Sequence, residues 1–113
     1  MNNLQLGKMY CMKQYFWFVF PTKKVAGELQ WASAWVSVAE ERAEKIAQRA
    51  ALNAKMLSED YNCNVDVVEP NTCVVLLEVD EDERCYKLLD CNGNIGWIYC
   101  WDDFSKYFDP VKE

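Results

Sequence analysis

The chain contains no histidine. Activation of a serine or cysteine nucleophile by an imidazole is therefore excluded. Glycine is scarce, with four residues, and they never cluster into a loop that could cradle a phosphate. No run of 18 apolar residues occurs, so no segment reads as a membrane span. The longest early apolar run covers only residues 15–20. No Cys-x-x-Cys pair is present, which removes the usual dithiol redox motif. The first ten residues show no basic region followed by an apolar core, so no secretory signal is read there. The expectation is a cytoplasmic protein.

Apolar side chains are abundant. They make up 51% of 113 residues, with five Trp, six Tyr and five Phe. A chain of this length fits one domain, expected over 1–113, and can bury roughly two-thirds of its unfolded surface. Six cysteines stand out: Cys11, Cys63, Cys73, Cys85, Cys91 and Cys100. Without an export signal they are expected to be reduced, free and mostly buried. Their spacings do not match the close Cys pairs of structural zinc sites. No metal and no cofactor are expected.

The net charge of −6 is unevenly spread. Residues 1–57 carry eight bases and four acids, whereas residues 58–113 carry four bases and fourteen acids. So acidic a second half is poorly suited to tracking phosphates. The acidic run 80–83 lacks the spacing and turn glycine of a calcium loop and reads as solvated.

Hydrophobic periodicity predicts strands at about 5–13, 15–20, 63–68, 72–79, 84–90 and 95–100. The first two are expected to form a hairpin, and 72–79, the most apolar, to be central. Continuous apolarity over 14–20 suggests burial on both faces. Residues 22–35 suggest a short helix or turn. One long helix is predicted at about 38–60, opened by a capping box of Ser37 and Glu40. Its apolar face would hold Ala43, Ile46, Ala47, Ala50, Ala54, Leu57 and Tyr61. Asn92-Gly93 is a strong hairpin signal. A short helical turn is expected at about 102–108, with Asp102 as its cap.

Gly93 in a turn, the Gly96-Trp97-Ile98 step and the turn after it resemble a bacterial-type SH3-like barrel. The resemblance implies a central meander of 72–79, 84–90 and 95–100, with residues 6–10 in the first strand. It also places Ile98 in the core. The fold class expected is thus α+β: a small SH3-like antiparallel β-barrel or strongly bent sheet, with the long helix inserted and packed on it. Departures are plain. No Trp-Trp pair occurs, the acidic-aromatic signature is missing, and Tyr99 replaces the usual proline. Binding of proline-rich peptides is not implied. As a whole the chain also resembles short proteins of cyanobacteria and their phages.

Strand alternation puts Trp97 and Tyr99 on the face opposite Ile98 and Cys100. The expected partner-binding residues are Trp97, Tyr99, Trp101, Asp102, Asp103 and Phe104. The leading expectation is a non-catalytic cytoplasmic module that binds a protein partner through this aromatic and acidic surface. A second is a nucleic-acid-facing role, through the basic helix face (Arg42, Lys45, Arg49) or through acidic mimicry. A third is a cysteine-based metal or redox protein. The sequence leaves monomer and homo-oligomer open.

Overall fold

The computed structural model describes residues 4–13, 16–29, 43–69 and 71–111. In chain order these form β1 (Met9–Met12), β2 (Trp17–Val19), α1 (Lys23–Glu28), α2 (Ala43–Asp60), β3 (Asp66–Val68), β4 (Cys73–Asp80) and β5 (Cys85–Leu89). They continue with β6 (Ile95–Tyr99), α3 (Phe104–Tyr107) and β7 (Phe108–Pro110). The result is a compact α+β fold. Its radius of gyration is 13.1 Å, close to the roughly 13 Å of a compact chain of this size.

Five strands form one antiparallel sheet in the order β6-β5-β4-β1-β7. The two outer strands, β6 and β7, do not pair, so the sheet is open and not a closed barrel. β4 is central, as its apolar sequence suggests. β2 and β3 form a separate antiparallel ribbon. The expected hairpin between the first two strands is not formed: β1 pairs with β4 and β7, and β2 with β3. The connection after Met12 lacks the Asn-Gly or Gly pair that a tight two-residue turn demands.

The β5–β6 connection has that chemistry. Gly93 takes φ +85°. The Asp90 carboxylate accepts from the backbone N–H groups of Asn92 and Asn94, each at 2.9 Å. A short polar side chain thus replaces water as partner for the turn's amides.

β2 explains how two hydrophobic layers meet. Trp17 and Val19 face the main core, with Tyr10, Val74, Leu76, Leu88, Ile98 and Phe108. Phe18 and Phe20 face the other way, onto Ala26, Leu29, Ala54, Leu57 and Val65. Every residue of β2 is therefore buried, as the continuous apolar run implies.

α1 begins at Thr22, whose hydroxyl accepts from the Val25 N–H at 3.2 Å. α2 runs for 18 residues. Of the helix expected over 38–60, the described part is α2, Ala43–Asp60. Residues 38–42 and the whole of the expected capping box, Ser37 and Glu40, lie outside the described residues. α1 falls where a short helix or turn is expected. α2 ends in a Schellman-type cap: Asn62 takes φ 50° and the Cys63 N–H reaches the Ser58 carbonyl at 3.1 Å.

Ala50, Ala54 and Leu57 are buried and Ala47 is half-buried, so this part of the predicted apolar face is observed. Tyr61 is a correction: it lies beyond the helix end and is 50% exposed. α2 rests on the β2–β3 ribbon through Phe16, Phe18 and Val65, not directly across the five-stranded sheet. This predicts a sharp contrast between neighbouring residues. Ala50→Glu places a carboxylate against Phe16 and should cost about 2–3 kcal/mol in chemical denaturation. Arg49→Glu, on the exposed side, should stay within about 0.5 kcal/mol. Equal losses would mean that the helix is rotated from the position described.

Candidate functional site

The six expected partner-binding residues divide into two groups. Trp101, Asp102 and Asp103 are exposed. Trp97 and Tyr99 are each only 9% exposed, and Phe104 is fully buried. An outward, solvent-facing position for those three is therefore corrected.

The alternation along β6 is as expected. Ile98 and Cys100 enter the main core, while Trp97 and Tyr99 lie on the opposite face. That opposite face is covered by a second layer, Phe20 of the ribbon edge with Ala26 and Leu29 of the α1 segment, and this layer continues to Ala54 and Leu57 of α2 beyond it. Phe20 and Trp97 exchange two backbone hydrogen bonds, at 2.7 and 2.6 Å. Two ammonium groups complete the cover, Lys23 Nζ at 5.5 Å and Lys87 Nζ at 6.0 Å from the Trp97 ring.

Gly96 permits this crossing. A Cβ at that position would lie 2.4 Å from Val19 Cγ1 and 2.8 Å from the Phe20 carbonyl oxygen. The close approach at Gly96 is thus made by the end of β2 and the residue after it.

Phe104 is a plug rather than a contact residue. Its ring stacks on Phe108 at 4.3 Å and meets Tyr10 and Tyr86 at 5.2 and 4.9 Å. Burial, more than the neighbouring Cys100, Asp103 and Glu81, pushes the Tyr86 hydroxyl up to about 12. Tyr86 is therefore neutral at physiological pH.

What remains outside is a compact surface around Trp101. Its ring is 47% exposed and meets Tyr99 edge-on at 5.1 Å. The Arg84 guanidinium donates to the Trp101 carbonyl. Arg84 itself sits at φ 56°, in the β4–β5 turn. Its backbone carbonyl accepts from the Cys100 N–H at 3.0 Å. The indole is thus carried on a backbone held to the next hairpin.

Asp102 is not the helix cap. Its carboxylate accepts from Lys106 Nζ and Tyr107 Oη, both at 3.0 Å. The Lys106 bond and then the Tyr107 bond hold its carboxyl below the usual range. Asp103 is the N-cap residue of α3 but makes no side-chain cap bond.

Glu81, Asp82 and Glu83 are exposed in the same β4–β5 turn as Arg84. Asp80, at the base of that turn, accepts from Lys23 Nζ at 2.6 Å and from the Glu83 N–H at 3.1 Å. The Lys23 bond and then the Glu83 bond lower its pKa. An open cleft of about 540 Å³ is lined by Lys23, Glu78, Val79, Asp80, Glu81 and Asp82. The participation of Arg84 and residues 81–83 was not anticipated from sequence. Only the long-range contact between the β4–β5 turn and Trp101 brings them together.

Of the basic helix face, Lys45 and Arg49 are exposed and Arg42 lies outside the described residues. All six cysteines are free. Only Cys85 and Cys100 are fully buried, so the expectation of mostly buried thiols is corrected. Among the described residues no three Cys, Asp or Glu side chains converge into a metal site. Among the same residues no helix is long and apolar enough to cross a membrane. Comparison with protein-family models, curated proteins and solved structures finds no match to this chain.

Proposed function

We propose that the protein is a non-catalytic cytoplasmic interaction module that takes a basic protein segment on the Trp101 surface. The observation that carries this reading is a half-exposed indole held on a fixed backbone, with exposed Asp102 and Asp103 next to it in the chain and exposed Glu81, Asp82 and Glu83 in the turn whose Arg84 holds that backbone. Trp is enriched among residues that dominate binding energy. Acids around it favour a partner with Lys or Arg and give association that slows as salt rises. We also propose an SH3-like relationship for the five-stranded sheet. Its support is the strand order β6-β5-β4-β1-β7, with a short helix between β6 and β7, laid over the Gly96-Trp97-Ile98 step. Residues between β1 and β4 would then be an enlarged loop of that unit.

The test is a panel of Lys- and Arg-rich peptides, with affinity measured by fluorescence anisotropy at low and high salt. Trp101→Ala should weaken the best binder by about thirtyfold, the scale of a 2 kcal/mol hot spot. It should change folding stability by less than about 0.5 kcal/mol. Unchanged affinity in Trp101→Ala would remove the site. Salt-sensitive retention on immobilised DNA, with no peptide binding, would favour the nucleic-acid role instead.

A further inference from the structure

We propose that Cys11 and Cys73 form a cross-strand thiol pair that is a site of reversible disulfide modification by low-molecular-weight disulfides. The two residues are direct partners in the β1–β4 register. The Met12 N–H bonds to the Thr72 carbonyl at 2.9 Å, immediately beside them. That placement makes Cys11 and Cys73 a non-hydrogen-bonded pair, the kind in which Cα atoms lie about 4.5 Å apart and side chains come closest. A disulfide needs Cα atoms about 4.4–6.8 Å apart. The sulfurs are already in contact, with Sγ to Sγ at 3.0 Å. Both residues are half-buried, so a small reagent can reach them.

The other thiols differ. Cys85 and Cys100 are fully buried, and burial is the first cause of the rise in both pKa values. Cys91 is exposed in the Asn92-Gly93 turn. It can take a mixed disulfide but has no place in this pair.

The chemistry balances as two exchanges. Cys73 loses its proton to solvent, and its sulfur attacks one sulfur of the reagent disulfide. One reagent thiolate leaves, and a mixed disulfide remains on Cys73. Cys11 then attacks the Cys73 sulfur, and its proton passes to the second departing thiolate. The protein dithiol loses two electrons and two protons, and the reagent is reduced to two thiols. Cys11 suits the second step. Its sulfur already touches that of Cys73, so closure needs little movement of the strands, and its hydrogen bond with Cys73, ahead of burial and the nearby charges, raises its pKa to about 11. Closure would join the two ends of the excursion that carries β2, α1, α2 and β3.

The experiment uses the full chain, reduced and then exposed to oxidised glutathione at mildly alkaline pH. Samples are quenched with acid, alkylated and mapped by peptide mass. The expected product yields a Cys11–Cys73 linked peptide that has lost two hydrogens and carries no glutathione, whether or not exposed Cys91 takes a separate adduct. Cys91→Ser should leave that product unchanged. Cys11→Ser should trap a glutathione adduct on Cys73. The same exposure in denaturant should scatter linkages among several pairs. The proposal falls if Cys11 and Cys73 stay alkylatable while Cys91 is modified. It falls equally if both carry stable separate adducts, or if the linked peptide joins other cysteines. The wild-type map decides between these outcomes even if a variant fails to fold.

Discussion

Gly96→Ala should detach the β2–β3 ribbon from β6 or prevent stable folding altogether, a loss of about 4 kcal/mol or more. Losses of that size come from a short list of causes, overpacking among them. Here the added methyl would meet Val19 Cγ1 at 2.4 Å and the Phe20 carbonyl at 2.8 Å. The valine could rotate, but the carbonyl is backbone and is committed to the Trp97 N–H at 2.6 Å. Relief requires moving β2, and moving β2 exposes both its faces, since Trp17, Phe18, Val19 and Phe20 are all buried. Urea melts followed by tryptophan fluorescence would measure this. A stability within 1 kcal/mol of wild type would mean that β2 does not cross at Gly96.

Trp97→Ala should be the second large effect, at about 3–5 kcal/mol, the range for emptying a buried aromatic site. It should match or exceed Ile98→Ala, expected at about 2–5 kcal/mol. The two side chains lie on opposite faces of β6, yet each is enclosed, Ile98 in the main core and Trp97 under α1 and the ribbon. Removal of Trp97 also takes away the ring under Lys23 and Lys87. Trp101→Ala is the control, because its ring is half in water. If Trp97→Ala melts like Trp101→Ala, the second layer is not packed on β6 as described.

These contrasts show which parts of the fold sequence could reveal. Local pattern located the β4–β5–β6 meander, its Asn-Gly turn and the apolar stripe of α2, because each rests on neighbours in the chain. It also separated the two faces of β6 correctly. It could not say how many layers lie over a face, and so Trp97 and Tyr99 were expected at the surface. That answer depends on α1, nearly seventy residues earlier. β7 was missed because three residues ending in Pro110 carry almost no strand signal. It exists because Tyr10, Cys11 and Met12 offer an edge to pair with. The β1–β2 hairpin failed for a related reason: adjacency in sequence is a weak guide when a more apolar partner, β4, is available. For the candidate surface, Trp101, Asp102 and Asp103 could be found from their positions after β6. Arg84 and the acids of the β4–β5 turn could not, since a hairpin tip has no sequence signature of what it touches.

The separation of β1 from β4 also bears on the order in which the chain folds. β4, β5 and β6 are joined by turns of a few residues, whereas Cys11 finds Cys73 across 62 positions and Trp17 Nε1 reaches the Tyr99 carbonyl across 82. Closing a loop of some sixty residues costs about 2 kcal/mol more than closing one of four, by the logarithmic growth of loop entropy. The meander can therefore assemble as the nucleus, with β1 and the β2–β3 ribbon docking later onto a sheet that already exists. Until β1 docks, the β4 edge that pairs with it is open to other chains. Folding yield should thus depend on protein concentration more strongly than the compact native state alone would suggest.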